Sequence, residues 1–363
     1  MSERAAPLEP GGVIGIIGGG QLGRMTALAA ARLGYRCHIY DPAEDSPAAQ
    51  VAWRSTVGAW DDRAKLDSFA QSVDVVTFEF ENIPHDSVQR LAERVPVRPG
   101  WNALRISQDR ALEKDFVSGL GIPVASYAAV SDLASLGRAL EDLPPPTVLK
   151  TRRLGYDGKG QAHIEAVGEC EAAWRAIGET PAILEARVDF RMEISVIVAR
   201  GVDGAMRCYV PVENRHRQHI LDTTLAPAKL AAGVAHQAQT IARAIAQGLE
   251  LVGLLAVEMF VAHDERLLVN EIAPRPHNSG HWTIDACSTS QFEQLVRAVA
   301  GLPLGSPERH SDAIMKNLIG KDVERWRELA GDPEAHLHLY GKADVRPGRK
   351  MGHVTWLKPK SAG

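Results

Sequence analysis

The sequence predicts an α/β protein with a parallel sheet in its N-terminal third and antiparallel strands further on. In the first third, apolar strand patterns alternate with helical ones, which is typical of β-α-β units and a parallel sheet. Between Ile183 and Val261 we expect antiparallel strands and one long helix, Ala232–Gly248. A break at Gly301–Pro307 precedes a small C-terminal piece rich in strand patterns.

The N-terminal elements follow from apolar runs interrupted by glycine. Val13–Gly20 is predicted as a buried strand that runs into glycines, and Gln21–Tyr35 as an Ala- and Leu-rich helix with Gly34 near its end. Arg36–Asp41 and Val73–Phe80 are the next predicted strands. Together they predict a Rossmann-like β-α-β arrangement.

The middle of the chain mixes short strands with helices. Ser107–Pro123 is predicted as a helix, with Ser107 as its N-cap and a glycine near its end. A second helix is expected around Leu133–Leu140, and a proline-rich break precedes a strand that ends at Lys150.

Composition and charge exclude several classes of protein. The 363 residues suffice for two or three domains, and the formal net charge of −4 argues against a nucleic-acid-binding surface. The N-terminus lacks the apolar run of a signal peptide, and no apolar segment approaches the ~20 residues of a membrane span. We therefore expect a cytoplasmic protein without membrane or nucleic-acid partners. The scattered cysteines are expected to be reduced thiols: Cys37, Cys170, Cys208 and Cys287.

Two carboxylates sit in neighbouring predicted strands that a short polar turn would join. If the turn centres on Asp264 and Glu265, Glu258 lies directly across from Glu271. Facing carboxylates repel each other, so a cation is expected between them, and oxygen ligands indicate Mg²⁺ shared with phosphate oxygens. The alternative places the two carboxylates on opposite faces of the hairpin. A polar cluster follows the second strand: Arg275, His277, Asn278, Ser279 and His281.

The segment Gly18–Gly23 satisfies the pattern G-x-G-x-x-G between a strand and a helix. Asp41 ends the next strand, where an acid that binds the ribose of NAD would stand. A glycine-rich helix start can equally bind the phosphate of a sugar-phosphate substrate, with Gln21 and Arg24 beside it. Tight helix–strand packing without a ligand is the third interpretation.

A second glycine-rich run, Thr151–Gln161, follows the strand that ends in Lys150. Its glycines allow close approach of the backbone to phosphates, and Lys159 adds positive charge. The order G-K-[ST] of a Walker A motif is missing, and Asp157-Gly158 is also a typical hairpin turn. We interpret the run as a hairpin that acts as a flexible lid over phosphates.

Two further segments carry weaker signals. Glu185–Val188 ends a strand before Glu193, and such a segment can offer backbone groups to adenine and a carboxylate to ribose. Without further context, a solvated edge strand is the simpler interpretation. The C-terminal run Tyr340–His353 is a basic loop that needs a phosphate substrate to give it a role. Its cations are Lys342, Arg346, Arg349 and Lys350.

The motifs together resemble those of the ATP-grasp ligases, most closely the members that carboxylate a ribonucleotide in purine biosynthesis. The resemblance is carried by GGGQLGRM, TFEFENIP, SQDRALEK, LGYDGKGQ and NEIAPRPHNSGHWT, and it extends to the RPGRKMGH tail. It implies a Rossmann-like domain without NAD over 1–109, an ATP-grasp pair of subdomains over 110–300 and a β-rich cap over 301–363. It also implies a homodimer.

The resemblance implies ATP- and bicarbonate-dependent carboxylation of 5-aminoimidazole ribonucleotide (AIR) through carboxyphosphate, with Mg²⁺. It implies that ATP is held by Arg110, Lys150, Gly155, Tyr156, Asp157, Gly158, Lys159, Gly160, Gln161, Glu185, Ala186, Arg187, Val188, Glu193, His216, Asn270 and Glu271. The implied metal ligands are Glu258 and Glu271. The implied AIR site comprises Gly20, Gln21, Leu22, Glu79, Tyr156, Asp157, Arg275, His277, Asn278, Ser279, Lys342 and Arg349.

The catalytic residues implied by the resemblance are Asp157, Arg275, His277 and Asn278. Arg275 would hold the carboxyphosphate oxygens, and either Asp157 or His277 would accept the proton of the attacking amine. The chain departs from the family pattern at DPAEDSPA, which begins with Asp41, and at Arg187, where a lysine is common.

Three other functions compete with this one. The nearest is an ATP-grasp enzyme that activates formate on a purine intermediate; FEFENI and GYDGKGQ favour the bicarbonate enzyme. An NAD-dependent oxidoreductase would leave Glu258, Glu271 and the second glycine-rich run without a role. A catalytically inactive binding subunit conflicts with the presence of every expected catalytic residue type.

Overall fold

The computed structural model describes residues 6–155 and 158–361. The N-terminal strands are β1 (Val13–Ile17), β2 (Arg36–Asp41), β3 (Arg54–Val57) and β4 (Val75–Phe78). They form a parallel sheet in the order β3-β2-β1-β4, which confirms the predicted arrangement. The helices of this region are α1 (Gln21–Arg32), α2 (Arg63–Ala70), α3 (His85–Ala92) and α4 (Trp101–Ser107).

A small antiparallel sheet follows. Its strands are β5 (Tyr127–Val130), β6 (Thr147–Thr151), β7 (Gln161–Ile164) and β8 (Ala182–Ala186), in the order β5-β8-β6-β7. The helices here are α5 (Arg110–Gly119), α6 (Leu133–Asp142) and α7 (Cys170–Ala176). Leu136, Trp174 and Leu184 belong to the apolar core that holds α6, α7 and the sheet together.

A large antiparallel sheet occupies the rest of the described chain. Its strands are β9 (Phe190–Arg200), β10 (Met206–Cys208), β11 (Val212–Arg217), β12 (Ile220–Ala226), β13 (Gly253–Ala262), β14 (Leu267–Ala273), β15 (Asp312–Ile319), β16 (Ala335–Leu339) and β17 (Lys350–Lys358). They are ordered β14-β13-β9-β11-β12-β15-β17-β16, with β10 beside β9. The C-terminal strands therefore extend this sheet, because β15 pairs with β12.

The remaining helices are α8 (Ala232–Gly248), α9 (Thr283–Ala286), α10 (Gln291–Ala300) and α11 (Trp326–Ala330). The long helix α8 has the predicted bounds, and its buried face includes Ala238, Ile241 and Ile245. These side chains pack on the sheet in one core with Val196 of β9 and Leu255 of β13. Among the described residues, no helix is long and apolar enough to cross a membrane.

The prediction that Ser107 caps a helix is wrong. Ser107 is the last residue of α4, and its hydroxyl donates to the carbonyl of Leu104. The cap of α5 is Asp109, whose Oδ1 accepts from the N–H groups of Ala111 at 3.0 Å and Leu112 at 3.3 Å. An ionised carboxylate can accept several amide donors at a helix start, and this position favours negative charge.

The interpretation of Glu185 as part of a solvated edge is also wrong. Glu185 lies on β8, which pairs with β5 on one side and β6 on the other. Its side chain is buried, so its carboxylate must be paired within the protein.

Candidate active site

The hairpin of β13 and β14 brings Glu258 opposite Glu271, as predicted. The route differs from the prediction, because the turn is a three-residue loop centred on Asp264, with Glu265 at φ +68°. The pairing shifts by one residue next to Glu258, which leaves Asn270 as an extra residue on β14. This β-bulge restores the expected pair, and bulges commonly redirect side chains beside active sites.

Each of the two carboxylates has a cationic or hydrogen-bonding partner. Glu258 Oε1 lies 2.9 Å from His277 Nε2, and Glu271 Oε2 accepts from Arg110 Nη1 at 3.1 Å. Burial raises the pKa of the Glu258 carboxyl, whereas the hydrogen bond from His277 and the charges of His216 and Lys350 lower it. Each carboxyl group therefore has a partner that compensates its proximity to the other.

These residues fit a magnesium ion. Asn270 Oδ1, on the bulge beside Glu271, is buried and has no hydrogen-bond partner. Buried acceptors of this kind normally have a partner, so this oxygen indicates a missing ligand or cation. Carboxylate and amide oxygens are the hard ligands that Mg²⁺ prefers. Glu258 and Glu271 are accordingly the residues that would hold it.

A group of cations surrounds Glu185 on the neighbouring sheet. Lys150 Nζ donates to Glu185 Oε2 at 2.8 Å, and Lys114 Nζ lies 3.7 Å from Oε1. Burial would raise the pKa of Glu185, but Lys150 and Lys114 outweigh it and lower that pKa to about 2. The charge of Arg110 acts on the same carboxylate, which links this group to Glu271.

The second glycine-rich run lies in a hairpin, as predicted, and this hairpin is in contact with Lys150 and Arg110. Lys150 pairs with Gln161 across β6 and β7, and Arg110 Nη2 donates to the carbonyl of Gly155 at 3.4 Å. Gly158 has φ +79°, and a Cβ there would lie 2.6 Å from the Cβ of His219. Both conformation and space therefore require glycine at that position. The predicted site residues Tyr156 and Asp157 lie outside the described residues.

The first glycine-rich run already binds the protein's own carboxylates. Glu79 Oε1 accepts from the N–H of Gly20 at 2.9 Å, and Oε2 accepts from Gly23 at 3.4 Å. Asp41 Oδ2 accepts from the N–H of Gly19 at 2.7 Å. These N–H groups are the ones that a dinucleotide's pyrophosphate would use. A second anion there would face Glu79 and Asp41, which argues against NAD.

Arg275 links the N-terminal sheet to the carboxylate pair. Its Nη2 lies 2.9 Å from Glu81 Oε1, and the charges of Glu81, Glu79 and Glu271 raise its pKa against the effect of burial. Lys342, in the C-terminal segment, also lies near Glu79, because the charge of Glu79 acts to raise the pKa of Lys342. Burial and the charge of Arg349 nevertheless lower the pKa of Lys342 to about 8.

Other predicted residues lie at the margin of this cluster. His216 Nδ1 lies 2.6 Å from Glu193, and the charge of Glu258 contributes to raising the pKa of His216 despite its burial. Arg187 pairs with the exposed Glu165, away from the carboxylate pair. The N–H groups of Ala186 and Arg187 already donate to the carbonyls of Ser126 and Pro146.

The structure also places residues in the site that sequence reasoning missed. Lys114 is four residues after Arg110, so both lie on one face of α5. Glu113, on the same helix, accepts from the N–H of Ile272 at 2.5 Å, and its burial raises its pKa to about 8. The helical spacing was the available signal for Lys114. Glu81, which follows β4, was within a quoted motif but received no role.

A second group of potential metal ligands lies near the site. Asp285, His338 and His353 have ligand atoms within 4.8 Å of one another. The rings of His338 and His353 are stacked, with centroids 4.5 Å apart and planes 10° apart. A metal ion lies close to the plane of each imidazole that binds it, and two stacked parallel rings share no such position. His338 Nε2 instead donates to Asp285 at 2.9 Å, so we interpret the group as a hydrogen-bonded stack.

The fold, the carboxylate pair and the cations around a glycine-rich hairpin define an ATP-grasp ligase. The chain matches the family model of the ATP-grasp domain over residues 115–292. It also matches the Ribonucleotide synthetase preATP-grasp domain over 12–108 and the Phosphoribosylaminoimidazole carboxylase C-terminal domain over 313–362. The predicted fold class is confirmed, and the boundaries at 109/110 and 300/301 stay predictions.

The chain belongs to the N5-carboxyaminoimidazole ribonucleotide synthase family. It is 50% identical to the N5-carboxyaminoimidazole ribonucleotide synthase of Brucella melitensis, with 98% of each chain covered. It is 45% identical to the Bacillus subtilis protein of that name, over 97% of this chain and 93% of the relative.

Solved structures of similar proteins agree with this assignment. The N5-carboxyaminoimidazole synthetase of Staphylococcus aureus complexed with ADP has a TM-score of 0.94 and 37% identity, covering 98% of this chain and 96% of that one. The Aspergillus clavatus enzyme in complex with ADP and 5-aminoimidazole ribonucleotide has a TM-score of 0.91 and 32% identity, covering 96% and 94%.

Proposed function

We propose that this protein carboxylates AIR with bicarbonate and ATP, forming N5-carboxyaminoimidazole ribonucleotide in the purine pathway to IMP. The observation that carries the proposal is the carboxylate pair Glu258 and Glu271, set between the cations Arg110 and Arg275. The family supports the same activity, because its named relatives are synthases of this product.

The first step activates bicarbonate, which is a poor electrophile. An oxygen of bicarbonate attacks the γ-phosphorus of ATP, the bond to ADP breaks, and carboxyphosphate forms. We assign the phosphates to Lys150, Arg110 and the hairpin loop from Gly155 to Gln161, while Glu258 and Glu271 would hold Mg²⁺. When bound, Mg²⁺ offsets the negative charge of the phosphate oxygens. The remaining contribution of the enzyme is position and charge.

The second step transfers the carboxyl group. The amine of AIR attacks the carbonyl carbon of carboxyphosphate. The bond between this carbon and the oxygen that joins it to phosphorus breaks, phosphate leaves, and a base takes the amine proton. We assign the carbonyl oxygens to Arg275. We assign the AIR phosphate to Lys342, Arg349 and the side chain of Gln21, because the backbone N–H groups at the start of α1 already donate to Glu79 and Asp41. We also assign Asn278 and Ser279 to this side of the site.

The nucleotide end of ATP is assigned to the segment beyond Glu185. Since the N–H groups of Ala186 and Arg187 are already hydrogen-bonded, we expect adenine to use the backbone of Val188. The pair of Glu193 and His216 is suited to the ribose hydroxyls. We also propose that the enzyme works in the cytoplasm as a homodimer on small molecules, without nucleic-acid or membrane partners. Light scattering of the purified protein tests the dimer.

An assay of phosphate release tests the proposed reaction. Purified protein is given Mg-ATP with and without AIR and bicarbonate, and the product is analysed by mass. We expect phosphate release that depends on AIR, together with a carboxylated ribonucleotide. Release that depends on formate and a formate-accepting ribonucleotide would assign the chain to the rival activity.

A further inference from the structure

A buried chain of hydrogen bonds ends on His277. Thr224 Oγ1 donates to Asn214 Oδ1 at 3.3 Å, and Asn214 Nδ2 donates to Ser195 Oγ at 3.0 Å. Ser195 Oγ donates to Ser279 Oγ at 2.6 Å, and Ser279 Oγ lies 2.8 Å from His277 Nδ1. We name the first four residues the buried relay. All four side chains are buried, so these bonds do not compete with water.

The direction of every bond in the buried relay follows from the one before it. Asn214 uses its oxygen for Thr224, so its amide nitrogen faces Ser195. A serine has one hydroxyl proton, and that of Ser195 therefore goes to Ser279. Ser279 accepts this bond, which directs its own proton to His277 Nδ1. The backbone N–H of Ser279 points at the same nitrogen from 3.4 Å.

Two donors therefore meet at Nδ1 of His277, and this nitrogen must accept. A neutral imidazole then carries its proton on Nε2. Nε2 lies 2.9 Å from Glu258 Oε1, where it donates. The relay reaches His277 through β12, β11 and β9, so buried side chains on three other strands decide which nitrogen of this ring is protonated.

The loop that carries His277 is fixed from a second side. Asn278 and Asn317 exchange hydrogen bonds between their amide groups, and Asn317 also donates to the carbonyl of Leu221 at 2.8 Å. Asn317 is fully buried on β15. The ring is therefore held in position as well as in tautomer.

We propose that Thr224, Asn214 and Ser195 are positioning residues that keep His277 as an Nε2–H donor during the reaction. His277 then donates a hydrogen bond to a substrate or carboxylate oxygen and does not accept the proton of the AIR amine. The proposal rests on the proposed function for the identity of that amine.

The tautomer is measured by NMR on the full-length protein labelled with ¹⁵N-histidine, at one fixed neutral pH and without substrate. The signals of His277 are assigned by their loss in His277→Gln. We expect a protonated Nε2 and a bare Nδ1. A protonated Nδ1 in the unsubstituted protein would overturn the proposal.

Variants of the relay give the matched comparison. Thr224→Val keeps the shape but removes the donor that orients Asn214, and Thr224→Ser keeps the hydroxyl. We expect mixed tautomers at His277 in Thr224→Val and an unchanged signal in Thr224→Ser. Ser195→Ala breaks the relay at a second place and should mix the tautomers as well. Unchanged tautomers in both Thr224→Val and Ser195→Ala would contradict the role of the relay.

Kinetics separate the donor role from the base role. Glutamine can present an N–H near the position of Nε2, but it cannot take up a proton. We expect kcat of His277→Gln to exceed that of His277→Ala by about tenfold, the equivalent of one hydrogen bond to a charged group. Equal losses would overturn the donor role. The NMR measurement needs no substrate and therefore tests the tautomer separately from the activity. If the protein failed to carboxylate AIR, the proposed function would be wrong, and the tautomer would still be decided by NMR.

Discussion

At the scale of single residues, the site depends on carboxylates that each have a partner in the protein. Glu258 contacts His277 and Glu271 contacts Arg110, while Asn270 Oδ1 has none. A cation bound between them would compete with His277 and Arg110 for the same oxygens. Both side chains are thus held in place by a protein partner before any ion binds.

Removing either carboxylate should remove activity. We expect Glu258→Gln and Glu271→Gln each to lower kcat by at least about 100-fold, since each removes a ligand of the Mg²⁺ that would offset the charge of the phosphates. Glu265→Gln, in the exposed turn of the same hairpin, is the control. Steady-state turnover at saturating ATP measures the effect, and normal turnover in both active-site variants would refute the metal site.

The same variants bear on stability. Two facing carboxylates would repel each other, so removing one should stabilise the fold. The observed partners, His277 and Arg110, reverse that expectation. Glu258→Gln leaves His277 without its buried carboxylate, which should lower the free energy of unfolding by about 1–3 kcal/mol without metal. Urea denaturation measures it.

A buried histidine far from the site predicts how stability depends on pH. His38 lies between Ser72 and Thr56, and burial together with the charge of Arg54 lowers its pKa from 6.5 to about 4. Between these values the unfolded chain binds a proton that the folded chain does not, so stability falls as pH drops from 6.5 to 4.

Each protein's free energy of unfolding is compared with its own value at neutral pH. We expect this free energy to fall less at low pH in His38→Asn than in the unsubstituted protein. Urea denaturation at several pH values measures the slope, with the exposed His236→Asn on α8 as control. An unchanged slope in His38→Asn would show that His38 does not titrate in this way.

At the scale of elements, local sequence patterns predicted the bounds of strands and helices better than they predicted how strands pair. The strand β2 and the helix α8 have their predicted bounds because apolar periodicity and flanking breaks are local signals. The bulge at Asn270 was not predicted, since one extra residue leaves the apolar pattern of a strand unchanged. The cap at Asp109 was missed because Ser107 and Asp109 are both good caps and the choice depends on where α4 ends.

The hairpin loop Gly155–Gln161 is expected to close over ATP. Hydrogen exchange of Leu154–Gln161 should slow on adding Mg-ATP and change little with AIR alone, because Lys159 and backbone N–H groups would bind the phosphates. Exchange that is unaffected by Mg-ATP would rule out a lid.

A substitution in this loop provides the second test. Gly158→Val forces a branched side chain into a positive-φ position and against His219. We expect a loss of activity larger than the loss of stability. Gly168→Val, where a Cβ meets nothing within 4 Å, is the control.

At the scale of the whole molecule, the site is assembled from all parts of the chain. Glu79 follows the N-terminal sheet, Arg275 follows β14, and Lys342 lies between β16 and β17, yet the charge of Glu79 acts on both cations. The resemblance supplied these residues from the sequence. The way these residues pack together depends on contacts between distant segments, for which the sequence offers no periodic signal. The hydrogen bond between Asn278 and Asn317 is one such contact.

The glycine-rich start of α1 should not bind a dinucleotide. Glu79 and Asp41 occupy its N–H groups, so NADH should show no binding in a calorimetric titration, whereas Mg-ATP should bind. Micromolar NADH binding that AIR cannot displace would contradict this account of the N-terminal domain.

The central claim, that ATP is used to join bicarbonate to AIR, is tested most directly by following phosphate and product in one reaction. With Mg-ATP, ¹³C-bicarbonate and AIR, we predict that phosphate release matches the formation of a ¹³C-labelled carboxylated ribonucleotide. We predict that Glu271→Gln abolishes both signals together. Phosphate release without labelled product, or labelled product without ATP consumption, would contradict the claim.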